Sequence, residues 1–332
     1  MRNNSFPFPR KHKPYKALQF QVTILGTGSA TPTLQRNPTA QWITYDNEHF
    51  LLDCGEGTQL QILRYKLRLS KLHHIFISHL HGDHYFGLFG LLTSMSLAQR
   101  LEPLVIYGPH GLDEIITTHF KYSNTLLTYP LEFRTTNPTQ VERILDHPHL
   151  TVDTVPLQHR IPCTGFIFRE KPRDRNLIRG LVPPEAHPNE LIQLKHGKDV
   201  LDENGQVKYR FEDLTTPPPT PRSYAFCSDT IYLPELYQYV QEVDLLYHEA
   251  TFADNLLERA VRTNHSTARQ AAQVARDAQV GQLLLGHFSS RYREVDHLLP
   301  EARAVFANTF LAEEGHTYAV GINPQSIEHQ PF

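Results

Sequence analysis

His79-Leu80-His81-Gly82-Asp83-His84 brings three imidazoles and a carboxylate into six residues, directly behind the apolar run HHIFIS (73–78), which reads as a short buried strand. With 20 histidines and 35 acidic residues in 332 positions, an H-x-H-x-[DE]-H pattern is expected by chance roughly 0.007 times, so coincidence is a poor account of it. Imidazole nitrogens and carboxylate oxygens are the donors Zn²⁺ prefers. They can converge from so short a stretch only through a tight turn, which Gly82 permits. Four donors this close along the chain crowd a single ion, so the spacing points to two adjacent ions. The competing reading is a polar loop satisfied by its own hydrogen bonds.

A two-ion centre needs more donors, and three stand at matching places. His159, Asp229 and His287 each follow an apolar strand-like run, TVDTVPLQH (151–159), SYAFCSD (223–229) and QLLLGH (282–287). Loops that leave one edge of a sheet converge in space. Singly, each would pass for an ordinary surface residue; beside the 79–84 cluster they form a candidate donor set. An aspartate such as Asp229 has two oxygens and can bridge two cations.

Further out, strands and helices alternate in both halves of the chain. FQVTILGTGSA (20–30) is a strand running into small residues. AQWITYD (40–46) and HFLLDC (49–54) form a hairpin around Asp46-Asn47-Glu48. A helix is expected over 56–69, on the spacing of Leu60, Leu63 and Leu67, and a buried one over 85–99. LVIYG (104–108) leads to the helix GLDEIITTHF (111–120), and DLLYHEA (244–250) precedes an amphipathic helix in STARQAAQVARDAQ (266–279). This predicts a layered α/β domain with its polar loops at the strand ends. Residues 169–221 break the pattern: they are polar, lack apolar periodicity and end in Pro217-Pro218-Pro219-Thr220-Pro221. They read as a flexible arm or as a disordered insertion. Residues 1–18 carry five Lys or Arg and three Pro, a loose basic extension or a plain tail.

Composition narrows the function. A hydrophobic fraction of 40% and a charged fraction of 20% exclude disorder and collagen-like structure. No apolar run approaches the ~18 residues of a membrane span, and no charged-then-apolar leader opens the chain; a cytoplasmic protein without a membrane partner is expected. The net charge of −3 excludes a basic nucleic-acid glove, so a polyanion must be held by a local patch or by bound cations. Cys54, Cys163 and Cys227 make no C-x-x-C pair, which fits reduced, buried thiols. Gly26-Thr27-Gly28 lacks the third glycine of a dinucleotide loop.

The motif order LLDCGEGTQ, SHLHGDHYFGL, PLQHRIPCTGF, FCSDT, YHEAT, NHST and LLLGHFSSRY resembles the ribonuclease Z branch of the metallo-β-lactamase superfamily, over about 20–320. The resemblance implies a four-layer αββα sandwich formed as one domain over 19–332, with the arm inserted at about 169–221. It implies two Zn²⁺ per subunit, a homodimer, and endonucleolytic removal of the 3′ trailer from precursor tRNA, leaving a 3′-hydroxyl on the tRNA and a 5′-phosphate on the trailer. On that likeness His79, His81 and His159 hold one zinc, Asp83, His84 and His287 the other, and Asp229 bridges. Asp83 positions the attacking water, His248 protonates the leaving group, and Glu249 orients His248. His265, Ser266 and Thr267, with Ser289, Ser290, Arg291 and Tyr292, match segments associated with the substrate phosphate, and the arm would grip the tRNA. Two alternatives stay open: another dinuclear zinc phosphodiesterase or hydrolase of this fold, and a metal-free scaffold.

Overall fold

A computed structural model describes residues 18–321; the basic extension, apart from Leu18, lies outside the described residues. Fourteen strands build two sheets. Those of the first are β1 (Phe20–Gly26), β2 (Ala40–Tyr45), β3 (Glu48–Leu52), β4 (Leu72–Phe76), β5 (Leu104–Gly108) and β6 (Leu131–Thr135). The second holds β7 (Arg143–Asp146), β8 (Leu150–Leu157), β9 (Cys163–Glu170), β10 (Ser223–Cys227), β11 (Leu245–Glu249), β12 (Gln282–Gly286) and β13 (Thr309–Leu311). β14 (Thr317–Ala319) returns to the first sheet, giving the orders β14-β1-β2-β3-β4-β5-β6 and β13-β12-β11-β10-β9-β8-β7.

Side-chain alternation along the strands makes the layers. In β10, Tyr224 and Phe226 join the apolar layer between the sheets, whereas Ala225 and Cys227 face the helix Ala268–Asp277. In β5, Val105 and Tyr107 point inward, and Leu104 and Ile106 meet the helices Gly87–Leu97 and Leu112–Tyr122. Three apolar layers therefore separate four structural ones, in the order helix, sheet, sheet, helix. This is the expected αββα sandwich. The hairpin at Asp46 and Asn47 is present, with Tyr45 opposite Glu48.

Two sequence expectations change. The helix expected over 56–69 spans only Thr58–Arg64, and its buried face is Thr58, Gln61 and Ile62; Leu60 and Leu63 are exposed, at 66% and 64%. The helix is turned by Gln61, whose side-chain amide reaches inward to donate to the Leu25 carbonyl (2.9 Å) and the Glu314 carboxylate (3.0 Å). The arm is a folded module. A two-strand ladder pairs Asn176–Leu177 with Thr215–Thr216, a second pairs Val200–Leu201 with Val207–Tyr209, and helix Pro188–Lys195 starts from a His187 capping box. Leu194 and Val200 are buried, and the Arg175 guanidinium lies 4.8 Å from the Phe211 ring centroid. A core of so few residues leaves no periodicity to read. The module starts after Glu170, where β9 ends, and closes at Arg222, which donates to the Glu170 carboxylate through Nε (3.0 Å) and a terminal nitrogen (2.8 Å).

Candidate metal centre

Every proposed donor leaves the carboxyl end of a strand. β4 runs into the turn holding His79 and His81 and the one-turn helix Gly82–Tyr85; β8 leads to His159, β10 to Asp229 and β12 to His287. β10, β11 and β12 are parallel neighbours, so their ends reach one rim of the sandwich. Gly82 lets the Phe86 ring lie close: a Cβ there would come 2.2 Å from it. Four non-glycine residues at this rim take left-handed backbone, Ala30 (φ 59°), Asp53 (φ 53°), Asn264 (φ 56°) and His287 (φ 58°). Such conformations cost energy and persist where the surroundings hold them.

The donors gather into two groups around Asp229. His79, His81, His159 and Asp229 form one, and Asp83, His84 and His287 the other; within each group the donor atoms lie within 4.8 Å of one another. Asp229 Oδ2 is 3.7 Å from both His79 Nε2 and His159 Nε2. Its Oδ1 is 3.0 Å from His287 Nε2 and 3.4 Å from His84 Nε2. His81 Nδ1 lies 3.1 Å from His79 Nε2 and 3.2 Å from His159 Nε2. Asp83 Oδ2 closes the second group, 3.3 Å from His84 Nε2 and 3.7 Å from His287 Nε2. His84 Nε2 and His287 Nε2 are buried without a hydrogen-bond partner. A buried imidazole nitrogen without a hydrogen bond is costly, and a divalent cation drawn in by the neighbouring Asp83 and Asp229 carboxylates would satisfy both atoms. The donor set suits zinc.

Behind these donors a second layer orients the rings, as metal-binding histidines require. Asp53 Oδ2 accepts from His84 Nδ1 (2.7 Å), and its two oxygens also accept from the Ser78 amide (2.7 Å) and hydroxyl (2.9 Å). His159 Nδ1 donates to the Asn264 carbonyl (2.8 Å). His287 Nδ1 meets the Thr251 hydroxyl (2.9 Å), which donates to Glu249 Oε2 (2.6 Å). Burial pushes the Asp83 and Asp229 carboxyls up, but the surrounding imidazoles outweigh it, with His84 and His287 acting on both, and hold the two well below the usual carboxylate range. Burial pushes the His79 imidazole well below its ordinary value, toward the neutral form that binds metal. It opposes charge on His84 as well, yet Asp83, Asp229 and Asp53 raise that imidazole well above its ordinary value. A cation entering there must displace a proton.

An open cleft of about 530 Å³ exposes the centre, with Ser29, Thr31, Glu56, His81, Asp83 and Phe86 among its lining residues on the side of the first sheet and His159, Arg160, Asp229 and His265 on the other. The expected pairing of His248 with Glu249 is not formed. His248 is wholly buried, and its Nδ1 donates to the backbone carbonyl of Glu249 (2.7 Å). The Glu249 carboxylate turns instead to His265, with Oε1 2.9 Å from Nδ1, and accepts from the Thr230 amide (2.8 Å). Alternation explains this: His248 and Glu249 are consecutive in β11 and so point to opposite faces. Burial opposes charge on His265, but Glu249 and Asp229 outweigh it and lift the imidazole to about 9.

The expected phosphate contacts divide. Ser266 and Thr267 are fully buried; Ser266 Oγ donates to the Thr230 carbonyl (2.8 Å), and Thr267 caps the helix that follows, exchanging bonds with Gln270. Ser289 is nearly buried and accepts from Arg291 Nε (3.2 Å). Arg291 itself is exposed, with its guanidinium over the Phe252 ring (5.8 Å); Arg160 is the arginine that lines the cleft. Sequence reasoning assigned no role to Asp53, Thr251 or Arg160. Asp53 follows β3 as His159 follows β8, so the strand-end rule could have found it.

The layer order and the donor-lined rim define a metallo-β-lactamase fold. Consistently, the chain superposes on the metallo-beta-lactamase fold protein YhfI from Bacillus subtilis with a TM-score of 0.64 at 18% identity, over 91% of this chain and 99% of that one. A family model described as anti-Pycsar protein Apyc1 matches residues 20–155. Ribonuclease Z of Cytophaga hutchinsonii is 49% identical over 303 residues, 91% of this chain and 97% of that protein. Human tRNase Z, short form, aligns with a TM-score of 0.65 at 28% identity, over 91% of this chain and 100% of its own. The chain belongs to the ribonuclease Z family.

Proposed function

We propose that the protein is a zinc-dependent endoribonuclease that removes the 3′ trailer from precursor tRNA, leaving a 3′-hydroxyl on the tRNA and a 5′-phosphate on the trailer. The observation that carries this reading is Asp229, each of whose oxygens faces one group of donors within an open cleft; the relative named ribonuclease Z supports the substrate. His79, His81 and His159 would hold one cation, Asp83, His84 and His287 the other, and Asp229 would bridge. A pair of divalent cations supplies Lewis-acid polarisation of a phosphoryl oxygen and a nucleophilic water at neutral pH.

The chain's own residues do the rest. Asp83, pinned at Oδ2 by the Ala30 amide (2.7 Å), orients the attacking water and takes its proton. Expulsion of the ribose 3′-oxygen needs a proton, because an alkoxide is a poor leaving group. His265, oriented by Glu249 (2.9 Å), delivers it, in the role the family likeness had suggested for His248. Arg160 at the cleft wall offsets phosphate charge through its guanidinium donors. The arm after Glu170 would hold the body of the tRNA, and the exposed Leu60 and Leu63 support a homodimer. Among the described residues no helix is long and apolar enough to cross a membrane; we read the site of action as the cytoplasm.

Incubation with a 3′-extended tRNA transcript, with and without chelator, tests the proposal. Cleavage at the 3′ end of the tRNA should vanish with chelator and in Asp83→Ala, whose circular dichroism stays native. Wild-type turnover by that variant removes Asp83 from the reaction.

A further inference from the structure

Among the described phenylalanines, Phe86 alone is exposed, at 54%, and it lines the cleft beside Asp83 and His81. What distinguishes it from the other exposed apolar side chains is its place in the wall of the cleft, where the ring face is open to a ligand. The ring lies against Gly82, where any Cβ would meet it, and the Tyr85 ring stands edge-on at 5.0 Å. A flat, apolar face beside a phosphodiester-cleaving centre fits a nucleobase, since single-stranded RNA is read by stacking on aromatic rings.

Placement says which base. His265 comes with His159 and Arg160 from loops of the second sheet, whereas Phe86 and Asp83 come from the first. In an in-line displacement the leaving oxygen lies opposite the attacking one. The nucleotide that departs with the 3′-oxygen therefore sits toward His265, which leaves Phe86, on the side of Asp83, to the nucleotide that keeps the phosphate. We propose that Phe86 is the stacking platform for the base on the 3′ side of the scissile phosphate, the first base of the trailer. This rests on the nuclease reading above.

A double-mutant cycle tests it with precursor tRNA carrying either a normal or an abasic first trailer nucleotide. Phe86→Ala should raise KM for the normal substrate about tenfold or more, with a smaller change in kcat, and Phe86→Trp should restore it. On the abasic substrate Phe86→Ala should add no further loss. Losses that simply multiply at that position overturn the proposal, and so does coupling that appears instead at the last tRNA base. Unchanged circular dichroism and zinc content in Phe86→Ala separate stacking from misfolding. Wild-type enzyme that hydrolyses bis-p-nitrophenyl phosphate but leaves precursor tRNA intact defeats the nuclease reading itself.

Discussion

His265 and Glu249 lie 16 residues apart, and their 2.9 Å contact shows how single side chains acquire a role that spacing does not reveal. As the proposed proton donor, His265 should matter most where the leaving group is poor. His265→Ala is expected to lower kcat on precursor tRNA by about 10²- to 10⁴-fold. The loss on bis-p-nitrophenyl phosphate should be much smaller, because nitrophenolate departs without a proton; equal losses on both would deny the role. The same pair carries a pH signature. The folded imidazole is raised to about 9, against about 6.5 in an unfolded chain. Its contribution to stability is therefore complete below about 6.5 and is lost as pH rises through about 9. In chelator-treated protein the thermal midpoint should fall across that interval, and less so in His265→Gln.

At the scale of elements, the arm hangs from two strand ends joined by Glu170 and Arg222, and Arg222 also donates to the Leu18 carbonyl (2.8 Å). The clamp lies outside residues 174–217 and is kept when they are deleted. Deletion of residues 174–217 should weaken precursor-tRNA binding and flatten its dependence on salt, since fewer phosphates are then neutralised. Hydrolysis of a small phosphodiester should persist, and an unchanged salt slope would argue against an RNA-gripping arm. Elements were unevenly legible. Strands with both faces buried, such as SYAFC and LVIYG, announce themselves as short apolar runs. The helix Thr58–Arg64 does not, because it buries the polar Gln61 and leaves two leucines in water.

Across the whole molecule, two sheets share one apolar layer and leave a rim at which loops from both meet. The candidate metal centre draws four donors from the first sheet and three from the second, so cations held there would tie the two sheets together and favour the folded state. Metal removal should thus lower the thermal midpoint as well as abolish activity. Metal analysis should return two zinc equivalents per chain, and readdition should restore both properties. A stoichiometry of one, or a midpoint indifferent to chelator, would contradict the arrangement.

Which atoms can bind metal was readable along the chain, because ligand chemistry belongs to residue type and the 79–84 turn is local. The layered α/β architecture was readable too, since strand and helix periodicities are short-range properties. Partner choice was not. That Asp229 stands between two groups, that Glu249 turns from His248 to His265, and that Arg160 rather than Arg291 faces the cleft all depend on contacts between residues distant in sequence. Packing of the two sheets sets those contacts, and no local pattern encodes them.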